Sequence, residues 1–232
     1  MKKILIYISS FVLLCTSTGF ALDSARAKYA DEIPPYCLSF ASIGAIFQES
    51  RLDAWAKINT GIEEEAEIKK VKTALGLGEA AWARQIDTKS SRYSLLQGSN
   101  SYLLTWEQNT PEQAFLIITI KSSDPNASLP QYERKIAGLT GYNWNTNYTI
   151  SGAVNIIVDD QSMPVLMDTL LKNLKGKQIA SYRYGDSWSA RATSYTKPVI
   201  PNYHHFEAAL RRETESGKIR VWLGIPEIKN SY

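Results

Sequence analysis

The residues best suited to metal binding or nucleophilic catalysis are two adjacent histidines, His204 and His205, and Cys37. Neighbouring residues of a strand point to opposite faces of a sheet, so the two imidazoles are not expected to bind one metal ion together. Cys37 lies in the apolar stretch 36–47, where a single cysteine is usually a small buried hydrophobe. We therefore predict no metal ion, no cofactor and no catalytic residue, while a Cys37–His205 pair formed by the fold stays open.

Carboxylates give a second set of candidates for acid and base chemistry. Asp159 and Asp160 lie between a predicted strand and a predicted helix, and the run 63–65 consists of three glutamates that open a helix. A glycosidase requires two carboxylates that face each other across a cleft, and sequence spacing does not reveal such a pair. A hydrolase of cell-wall polymer or peptide, with a site assembled only in three dimensions, therefore remains an alternative function.

The most informative side chains are aromatic and basic residues that alternate in the second half of the sequence: Tyr182, Arg183, Tyr184, Trp188, Arg191, Tyr195, Arg220 and Trp222. Rings supply stacking area and guanidinium groups supply forked hydrogen bonds, a combination that suits a glycan, a peptide or an anionic polymer. Strand alternation places Arg220 and Trp222 opposite an apolar set at 219, 221 and 223. The predicted ligand-binding residues are Arg220, Trp222, Tyr184 and Arg191.

The elements that position these side chains follow from hydrophobic periodicity. The first half is predicted to contain a helix with Phe40, Ile43 and Phe47 on one stripe, a strand over 52–59, a helix capped by Thr60 and Glu63 and ended by Gly76, and an antiparallel meander near 80–86, 92–96, 102–106 and 114–121. Pro130 then opens a short helix.

The second half repeats this order of elements. It is predicted to contain a strand over 147–158 with one solvated face, a helix capped by Ser162 with Pro164 near its start, and four strands over 178–184, 187–195, 204–212 and 218–225. We therefore predict an α+β fold, a pseudo-symmetric antiparallel sheet with helices packed on one face, built from repeats at about 50–128 and 143–226.

The N-terminal residues are typical of a secretory signal peptide. Lys2 and Lys3 precede an apolar run over 4–14, and small residues lead to a predicted cleavage after Ala21. Residues 22–35 are then a flexible lead, and 36–232 form one domain. Acylation of Cys15 stays open as an alternative to simple cleavage. The predicted location is outside the cytoplasm, either secreted, at the cell surface or in the periplasm.

Composition limits the partners of the mature chain. Loss of the two leader lysines reduces the 26 basic residues to 24 against 23 acidic ones, a net charge of +1. Such a chain lacks the electrostatic attraction on which sequence-independent phosphate binding depends, so nucleic acid is not expected as a partner. No later stretch reaches the roughly twenty apolar residues of a transmembrane helix, so no integral membrane segment is predicted.

Several of these features together resemble the YwmB family of exported bacterial proteins. They are the leader, the strand that carries Trp55, the glutamate-rich helix, the doubled order of elements and the C-terminal run 218–226 that ends in Gly-Ile-Pro. The resemblance implies a fold like that of the TATA-box-binding protein, with a saddle-shaped sheet backed by helices. It implies no reaction and no catalytic residue, because the family has no assigned activity.

The leading hypothesis from the sequence is a non-enzymatic binding or interaction module in the cell envelope. Its partner would be an envelope polymer or another protein, held on the open face of the sheet. A structural assembly subunit that uses exposed sheet edges is a further alternative.

Overall fold

The computed structural model describes residues 34–59, 63–110, 112–154, 159, 161–194 and 203–226 of the chain. These ranges contain four helices, α1 Pro35–Ser42, α2 Glu64–Leu75, α3 Leu129–Ala137 and α4 Met163–Asn173. They also contain ten strands, β1 Ala45–Asn59, β2 Ala83–Ile86, β3 Ser90–Gln97, β4 Asn100–Thr110, β5 Gln113–Ser122, β6 Asn145–Val154, β7 Gly176–Tyr184, β8 Ser187–Ser194, β9 His205–Arg212 and β10 Ile219–Ile225.

The ten described strands form one sheet in the order β2-β3-β4-β5-β1-β6-β10-β9-β8-β7. Every neighbouring pair is antiparallel. The order reads symmetrically outward from the central pair β1 and β6, since each of these strands is flanked by a four-stranded meander. The predicted α+β class with a large antiparallel sheet is confirmed.

Helix α2 illustrates how the sequence sets local structure. Acidic residues occupy its first turn, where the helix dipole stabilises negative charge, and Ile68, Val71 and Leu75 form its buried stripe. The helix ends at Gly76, whose backbone adopts φ 81°, a left-handed conformation that glycine adopts without a steric penalty. Glu63 is the N-cap and makes no side-chain cap bond, while Thr60 of the predicted capping box lies outside the described residues.

One hydrophobic core lies between the helices and one face of the sheet. It joins alternate residues of β1, such as Leu52 and Ala54, to buried residues of all four described helices, such as Phe40, Ile68 and Ile136. Burial of these apolar surfaces is the main favourable term in folding. We call the opposite face of the sheet, formed by the intervening residues of each strand, the outer face.

Helix α1 is shorter than its predicted stripe. It ends at Ser42, Gly44 takes φ 69°, and strand β1 begins at Ala45, so Phe47 lies on the strand rather than on the helix. Phe40, Ile43 and Phe47 still meet in the core, because Phe47 packs against it from the sheet. The apolar spacing is therefore a correct guide to burial and a wrong guide to the element, since a left-handed glycine interrupts the helical path.

The prediction that β6 has one solvated face is wrong. Tyr148 and Ile150 are buried on the core side as expected, but Asn147 and Thr149 on the outer face are also only 1% and 8% exposed. Strand β6 lies at the centre of the sheet, between β1 and β10, and its outer-face residues are flanked on both sides by neighbouring side chains.

None of the helices in the described ranges has the length and apolarity needed to cross a bilayer.

Gly152 allows helix α1 to pack closely on β6. A Cβ atom at this position would lie 2.8 Å from ring carbons of Phe40 and 2.8 Å from the carbonyl oxygen of Ile46. Neither neighbour moves easily, because the ring is 1% exposed and the carbonyl belongs to a paired strand.

We expect Gly152→Ala to lower the free energy of unfolding by about 1–3 kcal/mol, because overpacking strains a close-packed core. The matched control is Gly78→Ala, where the added Cβ would meet Thr73 Oγ1 at an ordinary 3.5 Å. It should change stability by less than about 0.5 kcal/mol. Denaturant unfolding of both variants measures the difference, and equal losses would contradict the proposed close approach.

Candidate functional site

The four predicted ligand-binding residues lie on the outer face of strands β7, β8 and β10. Register connects them, because directly paired residues of an antiparallel sheet share a face. Tyr184 pairs with Ser187, Ser187 with Arg211, and Arg211 with Arg220. Alternation along each strand then places Arg191 and Trp222 on the same face as this row.

The residues are not equally close to one another. Arg220 and Trp222 are alternate residues of β10, whereas Arg191 lies two strands away and Tyr184 lies three strands away at the edge. With strands roughly 4.8 Å apart, the backbone of Tyr184 is about 14 Å from β10. The structure thus places Arg220 and Trp222 next to each other and leaves Arg191 and Tyr184 farther away.

Arg220 and Trp222 line an open recess of about 620 Å³ beside the turn between β9 and β10. We call it the hairpin recess; its remaining lining residues are Arg211, Glu213, Thr214, Glu215 and Ser216. Sequence reasoning missed these five residues. The signal that could have found them is the hairpin between the two predicted flanking strands, because its turn must lie beside Arg220 and Trp222.

Hydrogen bonds order the acidic side of the hairpin recess. Glu213 contacts Arg220 Nε through Oε1 and accepts a hydrogen bond from Ser216 Oγ on Oε2 at 2.7 Å. Ser216 Oγ in turn accepts the backbone N–H of Lys218 at 3.2 Å. The Ser216 hydrogen bond, followed by the Arg220 interactions, lowers the pKa of Glu213, so this carboxylate stays ionised at neutral pH.

The edge strand β7 displays its aromatic residues to solvent. Tyr184 is 90% exposed and Tyr182 is 56% exposed, both on the outer face. Arg183 and Trp188 belong instead to the helix side, where the guanidinium lies 4.4 Å from the centroid of the indole ring. The predicted aromatic and basic group therefore divides between the two faces of the sheet.

The outer face of the first half carries a different recess. A volume of about 570 Å³ is bounded mainly by small and apolar side chains, including Ala83, Leu96 and Leu103, with Lys121 at its border. Leu96 is 77% exposed. The two halves of one sheet face thus offer an apolar recess and a charged, aromatic recess.

The candidate catalytic residues do not come together. Cys37 lies on α1, and burial raises the pKa of its thiol to about 11. His205 lies on the outer face of β9 beside Thr193, and His204 Nδ1 is 3.2 Å from the carbonyl oxygen of Ser194. Within the described ranges, no three His, Cys, Asp or Glu side chains converge as metal ligands.

Glu133 is at the centre of a half-buried polar cluster on the helix side, in which Tyr148 is fully buried. Its Oε1 accepts hydrogen bonds from Thr146 at 2.7 Å and Tyr203 at 2.6 Å, and its Oε2 accepts one from Tyr148 at 2.7 Å. Burial and the bonds to Glu133 raise the pKa of Tyr148 and of Tyr203. With three hydroxyl donors bound, this carboxylate ties α3 to β6 and to the segment before β9.

Comparison with known proteins does not assign a function to these residues. The sequence matches no protein-family model and no curated protein. The residues and their arrangement therefore carry the functional argument.

We expect Cys37 to react about a hundredfold more slowly with iodoacetamide at pH 8 in the folded chain than in denaturant. A pKa of about 11 leaves far less reactive thiolate than the roughly 8.5 of an exposed cysteine. A Cys15→Ser background isolates the single thiol, and mass spectrometry follows its alkylation. Equal rates in the two states would contradict the burial of the thiol and restore Cys37 as a candidate nucleophile.

We expect Glu133→Gln to reduce the free energy of unfolding by about 1–3 kcal/mol, because the amide nitrogen leaves a buried tyrosine hydroxyl without its acceptor. Glu65→Gln is the control, since Glu65 is 74% exposed and pairs with Arg84 at the surface. Its expected loss is below about 1 kcal/mol. Denaturant titrations compare the two, and similar losses would argue against a structural role for the cluster.

Proposed function

We propose that this chain is a non-enzymatic binding module that acts in the cell envelope through the outer face of its sheet. The observation that carries the proposal is that the helices pack on one face and leave large apolar side chains exposed on the other. Ile46, Leu96 and Tyr184 are 61%, 77% and 90% exposed there. Leu96 borders the apolar recess, and Tyr184 lies on the same face as the hairpin recess, so these two side chains add apolar contact area on a face that has open recesses for a ligand.

Binding accounts for these features better than catalysis does. The Cys37 thiol is protonated near neutral pH, because burial raises its pKa, and it lies on the opposite side of the sheet from His205. The ionised Glu213 is a poor proton donor. Neither the Cys37–His205 pair nor Glu213 therefore supports the hydrolase alternative.

The proposed location and fold family extend the same reasoning. We propose secretion through a signal peptide cleaved after about Ala21, which falls outside the described residues. We also propose membership of the YwmB family and a fold like that of the TATA-box-binding protein. The symmetric strand order around β1 and β6 supports the fold proposal, since that fold also duplicates a unit of strand, helix and meander.

A structural assembly role remains a second candidate because of strand β7. This edge strand has nine residues, and Ile179 and Tyr182 are 63% and 56% exposed along it. An exposed edge offers unpaired backbone groups to another strand. Capture from envelope extract separates the two roles, because an assembly subunit would capture copies of itself.

We expect the exported chain to sediment with purified cell-wall polymer or to capture a defined component from envelope extract. An Arg220→Ala/Trp222→Ala variant should weaken that capture about tenfold or more, because a few residues dominate the binding free energy at recognition sites and tryptophan and arginine are enriched among them.

The control variant is Val165→Ala/Lys172→Ala, which removes one apolar and one basic exposed side chain from helix α4. It should bind like the parent protein. Capture that is unchanged in both variants would move the site away from the hairpin recess, and the absence of any capture by the folded parent would overturn the binding proposal.

A further inference from the structure

The hairpin recess has a composition that restricts its ligand. Its walls carry two guanidinium groups, two carboxylates, two hydroxyls and one indole ring. Its volume of about 620 Å³ falls within the roughly 300–1,000 Å³ typical of small-ligand sites. The inference about its ligand rests on the proposed binding function and adds to it the class of ligand that the recess binds.

Recognition in this recess depends mainly on side chains. Strands β9 and β10 lie inside the sheet, and their backbone donors and acceptors are used by the neighbouring strands β8 and β6 as well as by each other. Extended peptides are typically held by backbone hydrogen bonds at a sheet edge. A site on the face of interior strands lacks those bonds, which argues against an extended peptide.

The charges of the recess favour a ligand that carries an isolated anionic group rather than a dense row of charges. Arg211 and Arg220 are directly paired on adjacent strands, an arrangement of like charges that is unfavourable without an anion nearby. Glu213 contacts Nε of Arg220, so the forked Nη groups are the part that a further carboxylate would meet. Among the described residues, no carboxylate forms an ion pair with Arg211.

The remaining groups suit a polyhydroxylated ring. Trp222 lines the recess, and the C–H face of a sugar stacks well on the flat apolar face of an indole. Glu215, Thr214 and Ser216 supply oxygen atoms that can accept hydrogen bonds from sugar hydroxyls. The carboxylates of Glu213 and Glu215 repel a densely charged polyanion, which disfavours polyphosphate and nucleic acid.

We propose that the hairpin recess binds an acidic glycan, with a sugar ring stacked on Trp222 and a sugar carboxylate held between Arg211 and Arg220. Arg211 is the group that selects the acidic sugar, since Arg220 is already neutralised in part by Glu213. Trp222 contributes to the binding of any sugar ring, whether charged or neutral.

The test measures the affinity of the exported chain for three soluble probes by titration calorimetry. The probes are a tetrasaccharide of galacturonic acid, an uncharged tetrasaccharide of N-acetylglucosamine and a tetraglutamate peptide. The parent chain should bind the uronic tetrasaccharide most tightly. Arg211→Ala should weaken that affinity about tenfold and leave the uncharged sugar nearly unchanged, whereas Trp222→Ala should weaken the binding of both sugars.

Arg92→Ala is the matched control, because Arg92 is also an exposed arginine on the outer face, on β3 in the first half of the sheet. It should bind all three probes like the parent chain, and thermal unfolding verifies that every variant is folded. Uronic-sugar binding that survives Arg211→Ala, or that falls equally in Arg92→Ala, would overturn the assignment of the carboxylate to this recess.

Two further outcomes separate this inference from the proposed function. Tighter binding of tetraglutamate than of either sugar would replace the glycan with an acidic peptide. If no sugar binds while capture from the envelope still depends on Arg220 and Trp222, the glycan inference fails and the binding module stands. If no sugar binds and the folded chain also captures nothing from the envelope, both proposals fail.

Discussion

The antiparallel pairing of β1 with β6 is the constraint on which the rest of the structure depends. It joins two meanders into one sheet, and its register decides which residues of every other strand face the helices. A shift of one residue would exchange the two faces of a strand. Leu52 and Tyr148 are paired and buried at this junction, whereas Asp53 and Asn147, one residue further along, face outward. The position of the hairpin recess follows from this register through β10 and β9.

The two halves are similar where they pack and different where they face outward. On the helix side, each edge strand places an arginine over the ring of its direct partner: Arg84 lies 5.3 Å from the ring of Tyr93, and Arg183 lies 4.4 Å from that of Trp188. Such contacts cover an aromatic ring at the margin of a core with the stem of a charged side chain. The outer face has no shared packing requirement, and there the halves carry recesses of different chemistry.

Much of the fold could be predicted from the sequence because periodicity reports burial. The stripe of α2, the stop at Gly76 and the alternation that orients Arg220 and Trp222 all depend on local patterns, and the structure places them accordingly. The predictions for the extent of α1 and the exposure of Asn147 are wrong. A left-handed glycine ends the helix early, and the burial of a strand's second face depends on neighbours distant in sequence. The site was less predictable than the fold. Glu213 contacts Arg220, and Ser216 contacts Glu213, only because the turn between β9 and β10 brings them there, and a turn has no repeating pattern.

The centre of the outer face is less suited to the selective binding of an anion than the hairpin recess at its flank. There Asp53 accepts a hydrogen bond from Thr119 at 2.7 Å and pairs with Arg51 at 2.7 Å, and Lys121 pairs with Glu49 at 3.2 Å. These charges are matched within the sheet, so a ligand gains little by replacing one partner with another. At the hairpin recess two paired strands instead present two guanidinium groups side by side, with Glu213 in contact with only one of them. An anionic ligand would relieve the repulsion between these two cations, whereas at the centre it would have to compete with carboxylates already in place.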